Sequence, residues 1–230
     1  MPSVETRHTR KGMIRDALGI GVATGAYALS FGAISTTAGL SLLQTVCLSA
    51  LMFTGASQFA LVGVIGAGGG VWAGAAAAAL LGSRNALYGL RLQSLLDVRG
   101  WRRTAASHFV IDETTAMAIA RDTAPESRFA FWATGVAVFT FWNLGTLIGA
   151  LATHALPDPR VLGFDAAPPA AFLALVAPRL RGREPLAIAI GAGIVALAVL
   201  PFVPAGVPLL VVAVLIALLG LRKTNRGIAS

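Results

Sequence analysis

Two short stretches place charge where an apolar chain can least accommodate it. In "GSRNALYG", residues 82–89, Arg84 has Asn85 beside it and Tyr88 one helical turn away. A guanidinium near a bilayer midplane costs about 2.5 to 3.5 kcal/mol on insertion scales. Its planar fork matches a carboxylate, so Arg84 suits either an anionic group of a substrate or an internal acid. The alternative is a side chain that snorkels to the interface, seven residues from Arg91. Acids occur in "SHFVIDETTAMAIA", where His108 and Asp112 are four residues apart. That spacing predicts one shared helix face, continued by Thr115, with Glu113 rotated about 100 degrees away. Carboxyl groups within an apolar segment can carry protons, or pair with a substrate ammonium or an internal arginine. Of the two, Asp112 is the expected proton-coupling group, because its face is the polar one. The bland alternative is a short segment whose start lies at the interface.

Two further stretches are polar without being charged. "FTGASQF" sets Thr54, Gly55, Ala56, Ser57 and Gln58 inside an apolar run, and Gly55 lowers helix propensity by about 1 kcal/mol against alanine. In a membrane, non-helical backbone is tolerated where it lines a cavity, and its freed amides and carbonyls can hold a small charged solute. A helix interrupted within 54–58 is therefore expected; a continuous helix using small residues for packing is the other reading. In "FTFWNLGTLIG", Asn143 and Trp142 are candidates to line a pore, or Asn143 serves as interhelical glue. The bland reading of the whole set is packing; the functional one is a binding site for a small polar solute.

Nothing points to an enzyme, a cofactor or a metal. "GAGGG" has no preceding strand and no following lysine, and the three histidines lack zinc-site spacing and neighbours. Cys47 is the only cysteine, which excludes an internal disulfide, and its apolar surroundings predict a small core residue.

The elements that must position these groups follow from composition. Of 230 residues, 56% are hydrophobic and 12% charged, with mean hydropathy +0.76, against roughly a quarter charged in soluble domains. Arg84 is the sole charge between Asp16 and Arg91, and none occurs from Pro185 to Leu221. Runs of this length accommodate several spans of about 20 residues. The fold class expected is all-α, a polytopic helical bundle in the cytoplasmic membrane, since lipid leaves an open chain no other choice. Seven or eight segments are predicted, near 17–40, 42–66, 71–90, 104–120, 129–153, 166–178, 186–203 and 206–221. A basic tail (1–16), one transmembrane domain (17–221) and a second tail (222–230) complete the organisation. The charged start lacks a cleavage-site pattern, so the first span is expected to double as the insertion signal.

The +8 balance falls in short clusters at Arg7 to Arg15, Arg99 to Arg103, Arg179 to Arg183 and Arg222 to Arg226. Clusters between apolar spans set topology by staying cytoplasmic, so nucleic-acid binding is not expected. Both termini are then cytoplasmic, and the last two segments form a hairpin turning at 204–208. Three full spans between residues 17 and 90 would put the Arg99 cluster on the wrong side, so one segment must be broken, re-entrant or exempt. The 26 glycines concentrate in the first 90 residues, where small residues let membrane helices approach closely.

At "FGAISTTAGLS" (31–41), "LMFTGASQFALVG" (51–63), "SRNALYGLRL" (83–92) and "FVIDETTAM" (109–117), the chain resembles the AzlC family of branched-chain amino acid permeases, large subunits of bacterial exporters. The blocks occur in order and cover about half the chain. Two departures stand out: Ala26, Tyr27 and Ala28 replace a Pro-Phe-Gly kink, and Gly82, Ser83, Arg84 and Asn85 replace an Asn-x-Arg-His pattern. The resemblance implies a secondary transporter exporting neutral aliphatic amino acids, coupled to a proton or sodium gradient, with a small hydrophobic AzlD-type membrane subunit. On that reading residues 54–58 hold the zwitterionic head. Valine, leucine, isoleucine and methionine are hard to separate, because an apolar pocket discriminates one methylene by about 1 to 3 kcal/mol. A channel or importer for another small solute, and a non-transporting scaffold, are the competing classes; a scaffold needs no buried arginine and acid.

Overall fold

A computed structural model describes residues 9–155, 177–203, 207–208, 211–212 and 214–216, and among these there are helices and turns but no strand. The elements are α1 (Arg10–Thr37), α2 (Leu42–Leu51), α3 (Ala56–Gly66), α4 (Val71–Gly82), α5 (Arg84–Leu96), α6 (Trp101–His108), α7 (Asp112–Ile119), α8 (Ala124–Ala155) and α9 (Arg183–Val199), with 3-10 turns at Ala177–Leu180 and Leu200–Phe202. The all-α membrane bundle expected from composition is what forms. By length and apolarity α1, α8 and α9 are able to cross a bilayer. The predicted segments 166–178 and 206–221, and the hairpin turn between the last two, fall largely outside the described residues.

Helices α1 and α8 form the central pair. Gly21 opposes Ala137 and Phe141, Gly32 opposes Thr146 and Ala150, and the Thr36 and Thr153 hydroxyls bond at 2.7 Å. Residue numbers rise together on both helices, so the two run parallel. The axes come so close that a Cβ on Gly32 would collide with the Thr146 carbonyl, and one on Gly145 with the Gly25 carbonyl. Small residues in membrane helices allow this backbone approach. Hydroxyls tie α2 to the pair: Ser35 bonds Thr45 at 2.8 Å and Ser49 donates to Thr146 at 3.1 Å.

Three predicted spans are each broken in two. The segment near 42–66 becomes α2 and α3, 71–90 becomes α4 and α5, and 104–120 becomes α6 and α7. At about 1.5 Å per residue each short half falls well below the bilayer's hydrocarbon thickness of about 30 Å. Lipid cannot satisfy the freed backbone groups, so side chains do. Ser41 and Gln44 close the start of α2 reciprocally, at 3.2 and 2.8 Å. Gln58 donates its amide to the last carbonyls of α2, Leu48 at 3.0 Å and Ser49 at 3.3 Å. Thr114 bridges the third break, accepting from the Ile111 amide at 3.1 Å and donating to the Phe109 carbonyl at 2.6 Å. At the second break Ser83 keeps right-handed helical dihedrals and donates to the Leu80 carbonyl at 2.7 Å.

The breaks also answer the charge conflict. Parallel α1 and α8 begin at the same end, where the Arg10 guanidinium lies 5.4 Å from the Phe129 ring. Arg128, near the start of α8, sits 3.8 Å from Asp97 and donates to the Leu95 carbonyl at 3.2 Å. The Arg99 to Arg103 cluster therefore gathers at the basic end of α1, not opposite it. Cys47 is exposed, contrary to the core position expected: α2 buries its hydroxyl-bearing face instead, Thr45 against Ser35 of α1 and Ser49 against Thr146 of α8. None of the described residues of α9 is buried.

Candidate functional site

The three helix breaks meet at one cavity. It measures about 410 Å³ and is lined from α1 by Ala23, Thr24 and Tyr27, from α8 by Val138 and Trp142, and between them by the break residues Phe53 to Ala56, Arg84, Asn85 and Ile111 to Glu113. The α1 and α8 contributors lie within four residues of the midpoints of Arg10–Thr37 and Ala124–Ala155. The cavity is thus at mid-depth in the bundle.

Each break presents the start of a helix to it: Ala56 opens α3, Arg84 opens α5 and Asp112 opens α7. A helix start carries unpaired amides and the positive end of the backbone dipole, which favours an anion. Gly55 makes the first of these turns with φ +36° and ψ −83°, a conformation that L side chains rarely adopt. Arg84 adds a full positive charge, and its Nη2 lies 2.8 Å from Asp112 Oδ2, with 39% and 33% of the two side chains still accessible. Glu113 lines the same cavity.

Opposite this polar rim stands an aromatic and aliphatic wall. Tyr27 stacks on Phe59 at 4.8 Å between ring centroids and meets Trp142 edge-on at 5.8 Å. Phe53 packs on Phe139 at 5.1 Å. Five polar atoms of cavity-lining residues are buried without a hydrogen-bond partner: Tyr27 Oη, Arg84 Nε, Asn85 Oδ1, Asp112 Oδ1 and Trp142 Nε1. Buried polar groups in native proteins are normally bonded, so such a cluster is suited to a polar guest.

Several sequence expectations change at this level. The interruption runs from Met52 to Gly55, so Ala56, Ser57 and Gln58 are the first turn of α3 instead of open backbone. Thr54, Gly55 and Ala56 line the cavity; Ser57 and Gln58 do not. Ser57 bonds Thr54 at 3.1 Å, while Gln58 closes α2. His108 and Asp112 do not share a helix face, because His108 ends α6 and Asp112 begins α7. His108 instead packs among Phe53, Phe109 and Phe139, at 5.9, 5.6 and 5.9 Å. Glu113, expected to point elsewhere, shares the cavity with Asp112. Tyr88 packs with the cluster of Leu92 and Phe131, away from the cavity. Asn143 donates to the Phe139 carbonyl of its own helix at 2.8 Å, and its neighbour Trp142 takes the cavity-facing position. Phe53, Ile111 and Val138 are not singled out by the sequence, and Tyr27 only as part of the departure from the family's kink. Tyr27 carried the further signal of a phenol within an apolar span.

Comparison with known proteins places this arrangement. The family described as AzlC protein matches residues 19–156, from α1 to the end of α8 and so across every cavity-lining residue. The chain belongs to the AzlC family. It is 30% identical over 184 residues to the inner membrane protein YgaZ of Escherichia coli (strain K12), covering 76% of this chain and 74% of that protein. No solved structure matches. AzlC membership and an inner-membrane relative agree with the apolar helices in making this a membrane protein, and they point to a role in transport.

Proposed function

We propose that this AzlC protein is a secondary transporter that moves neutral aliphatic amino acids through the mid-depth cavity. The observation that carries the reading is the meeting of both charge signs with an apolar wall in one small space. About 410 Å³ falls at the lower end of the range of about 300 to 1,000 Å³ for small-molecule sites. The helix starts at Ala56 and Arg84 suit a carboxylate, and the acids Asp112 and Glu113 suit an ammonium. Phe53, Ile111 and Val138 offer apolar contact to an aliphatic side chain. Arg84 and Asp112 already neutralise each other at 2.8 Å, so a bound zwitterion exchanges one ion pair for two without adding net charge.

The transport direction, the coupling gradient and a small hydrophobic AzlD-type partner enter this proposal through the family resemblance, with export as the direction. The basic end, where α1 and α8 start, is assigned to the cytoplasm on the preference of arginine and lysine for that side. Proton coupling falls to a cavity carboxyl. The paired state of Asp112 makes Glu113 an equal candidate for it, and Glu113→Gln compared with Asp112→Asn in gradient-driven efflux separates the two.

Titration of the purified protein with leucine, with its 2-oxo acid and with 3-methylbutylamine tests the recognition step. Leucine should bind at least tenfold more tightly than either analogue, because each analogue lacks one charged group. Equal binding of the 2-oxo acid or the amine would overturn the zwitterion reading.

A further inference from the structure

A second site lies outside the transport cavity, at the corner where α5 turns into α6. We infer that this corner binds the phosphate headgroup of an anionic glycerophospholipid, with the acyl chains lying along the outer face of α5.

The corner holds a groove of about 610 Å³ lined by Gln93, Ser94, Arg99 and Arg103 together with Asp97 and apolar neighbours. Its shape is set by backbone: Asp97 turns left-handed at φ +45° and Gly100 at φ +57°, which folds α6 back and brings Arg99 and Arg103 to one mouth. Asp97, the acid in that lining, has Arg128 at 3.8 Å. Among the described residues Arg99 and Arg103 form no ion pair. The mouth therefore offers two uncompensated guanidinium forks with an amide and a hydroxyl beside them, a donor set that matches a phosphate.

A free phosphate would need nothing more, yet the groove continues into apolar surface. An adjoining hollow of about 270 Å³ shares Leu90, Val98 and Arg103 with the groove and adds Leu92, Leu96 and Val110. On the outer side Leu87 and Leu90, three residues apart on α5, are 68% and 70% exposed. The level of the headgroups is marked by Trp101, 76% exposed, with the Arg102 guanidinium 5.8 Å from its ring, as in the aromatic belts at membrane interfaces. Charge above and hydrocarbon below is the pattern of a lipid, and basic pockets between helices are known to take anionic headgroups.

The test uses the full chain in a neutral detergent, titrated with dansyl-labelled phosphatidylglycerol and read by energy transfer from tryptophan. Each arginine should contribute about fivefold, so Arg99→Gln with Arg103→Gln should weaken binding about twenty-five-fold. The lysine pair, Arg99→Lys with Arg103→Lys, keeps the charge but not the forks and should bind between the wild type and the glutamine pair, which separates loss of charge from misfolding; no recovery over the glutamine pair would overturn the site. Arg15→Gln, at the same end but outside the groove, should change binding less than about twofold. An equal loss in Arg15→Gln would reduce the effect to bulk charge and overturn the site. Unlabelled phosphatidylglycerol should displace the probe, whereas phosphatidylcholine and millimolar inorganic phosphate should not. Displacement by inorganic phosphate would make this a free-anion site and overturn the lipid assignment. None of these readouts depends on transport.

Discussion

Replacing Arg84 by Gln leaves Asp112 beside a largely apolar wall without its cation, and Asp112→Asn deprives Arg84 of its paired acid. The two groups meet at 2.8 Å with about a third of each side chain accessible. Unit charges about 4 Å apart at an effective dielectric of about 20 attract by about 4 kcal/mol before desolvation is subtracted. Exposed pairs yield about 0 to 1 kcal/mol, and breaking a buried one costs about 3 to 5 kcal/mol. Partial accessibility puts this pair between, at about 2 kcal/mol of coupling. Each single variant should therefore lose about 2 kcal/mol, and the double variant should lose about 2 kcal/mol less than the sum of the two. The assay is reversible unfolding of all four proteins in mixed micelles, titrated with dodecyl sulfate and followed by helicity. Coupling of that size is about thirtyfold in the unfolding equilibrium. If the two losses simply add, within about 0.5 kcal/mol, the ion pair does not support the cavity and the reasoning fails.

Other expectations follow from single positions. Gly55→Ala places its Cβ 3.4 Å from the Trp142 ring, an ordinary contact, so its cost comes from φ +36° alone, about 1 to 3 kcal/mol in the same titration; Gly55→Leu adds a branched chain against Trp142 and should abolish transport while the protein still inserts. Gly32→Leu drives a side chain into the Thr146 carbonyl and should prevent a stable fold, whereas Gly19→Leu on the same helix meets open space and should be near neutral; equal behaviour of the two would contradict the α1 and α8 register. Gln58→Leu removes the donors to the Leu48 and Ser49 carbonyls and should cost about 1 to 2 kcal/mol, with no loss counting against its part in closing α2.

The long helices were legible because lipid demands long uncharged runs, and α1 and α8 meet that demand without interruption. Gly55 marked the first break, but the polar neighbours misled: Ser57 and Gln58 look like ligands for a guest, yet Ser57 bonds the Thr54 hydroxyl and Gln58 the last carbonyls of α2, because a broken helix in lipid must satisfy its own polar groups. The break at Phe109 to Ile111 contains no glycine or proline; the Thr114 hydroxyl bridges it, and the Phe109 and Val110 amides turn back to the Ala106 and Ser107 carbonyls. Helical spacing from His108 to Asp112 presumes an unbroken helix, so it placed Glu113 away from a cavity that it lines. Tyr27 and Trp142 come together through the α1 and α8 register, which rests on opposed glycines more than a hundred residues apart. Those glycines were visible as packing residues, but their pairing is a tertiary fact.

The central claim is that the cavity carries neutral aliphatic amino acids across the bilayer. The most direct measurement is movement of labelled leucine in proteoliposomes holding the purified chain, with and without a small hydrophobic membrane subunit, in wild type and in Arg84→Gln with Asp112→Asn. The account predicts gradient-dependent leucine flux in the wild type, competed by valine, isoleucine and methionine, and none in the double variant. Flux that persists undiminished in the double variant, or no leucine flux from the wild type in either composition, would contradict it.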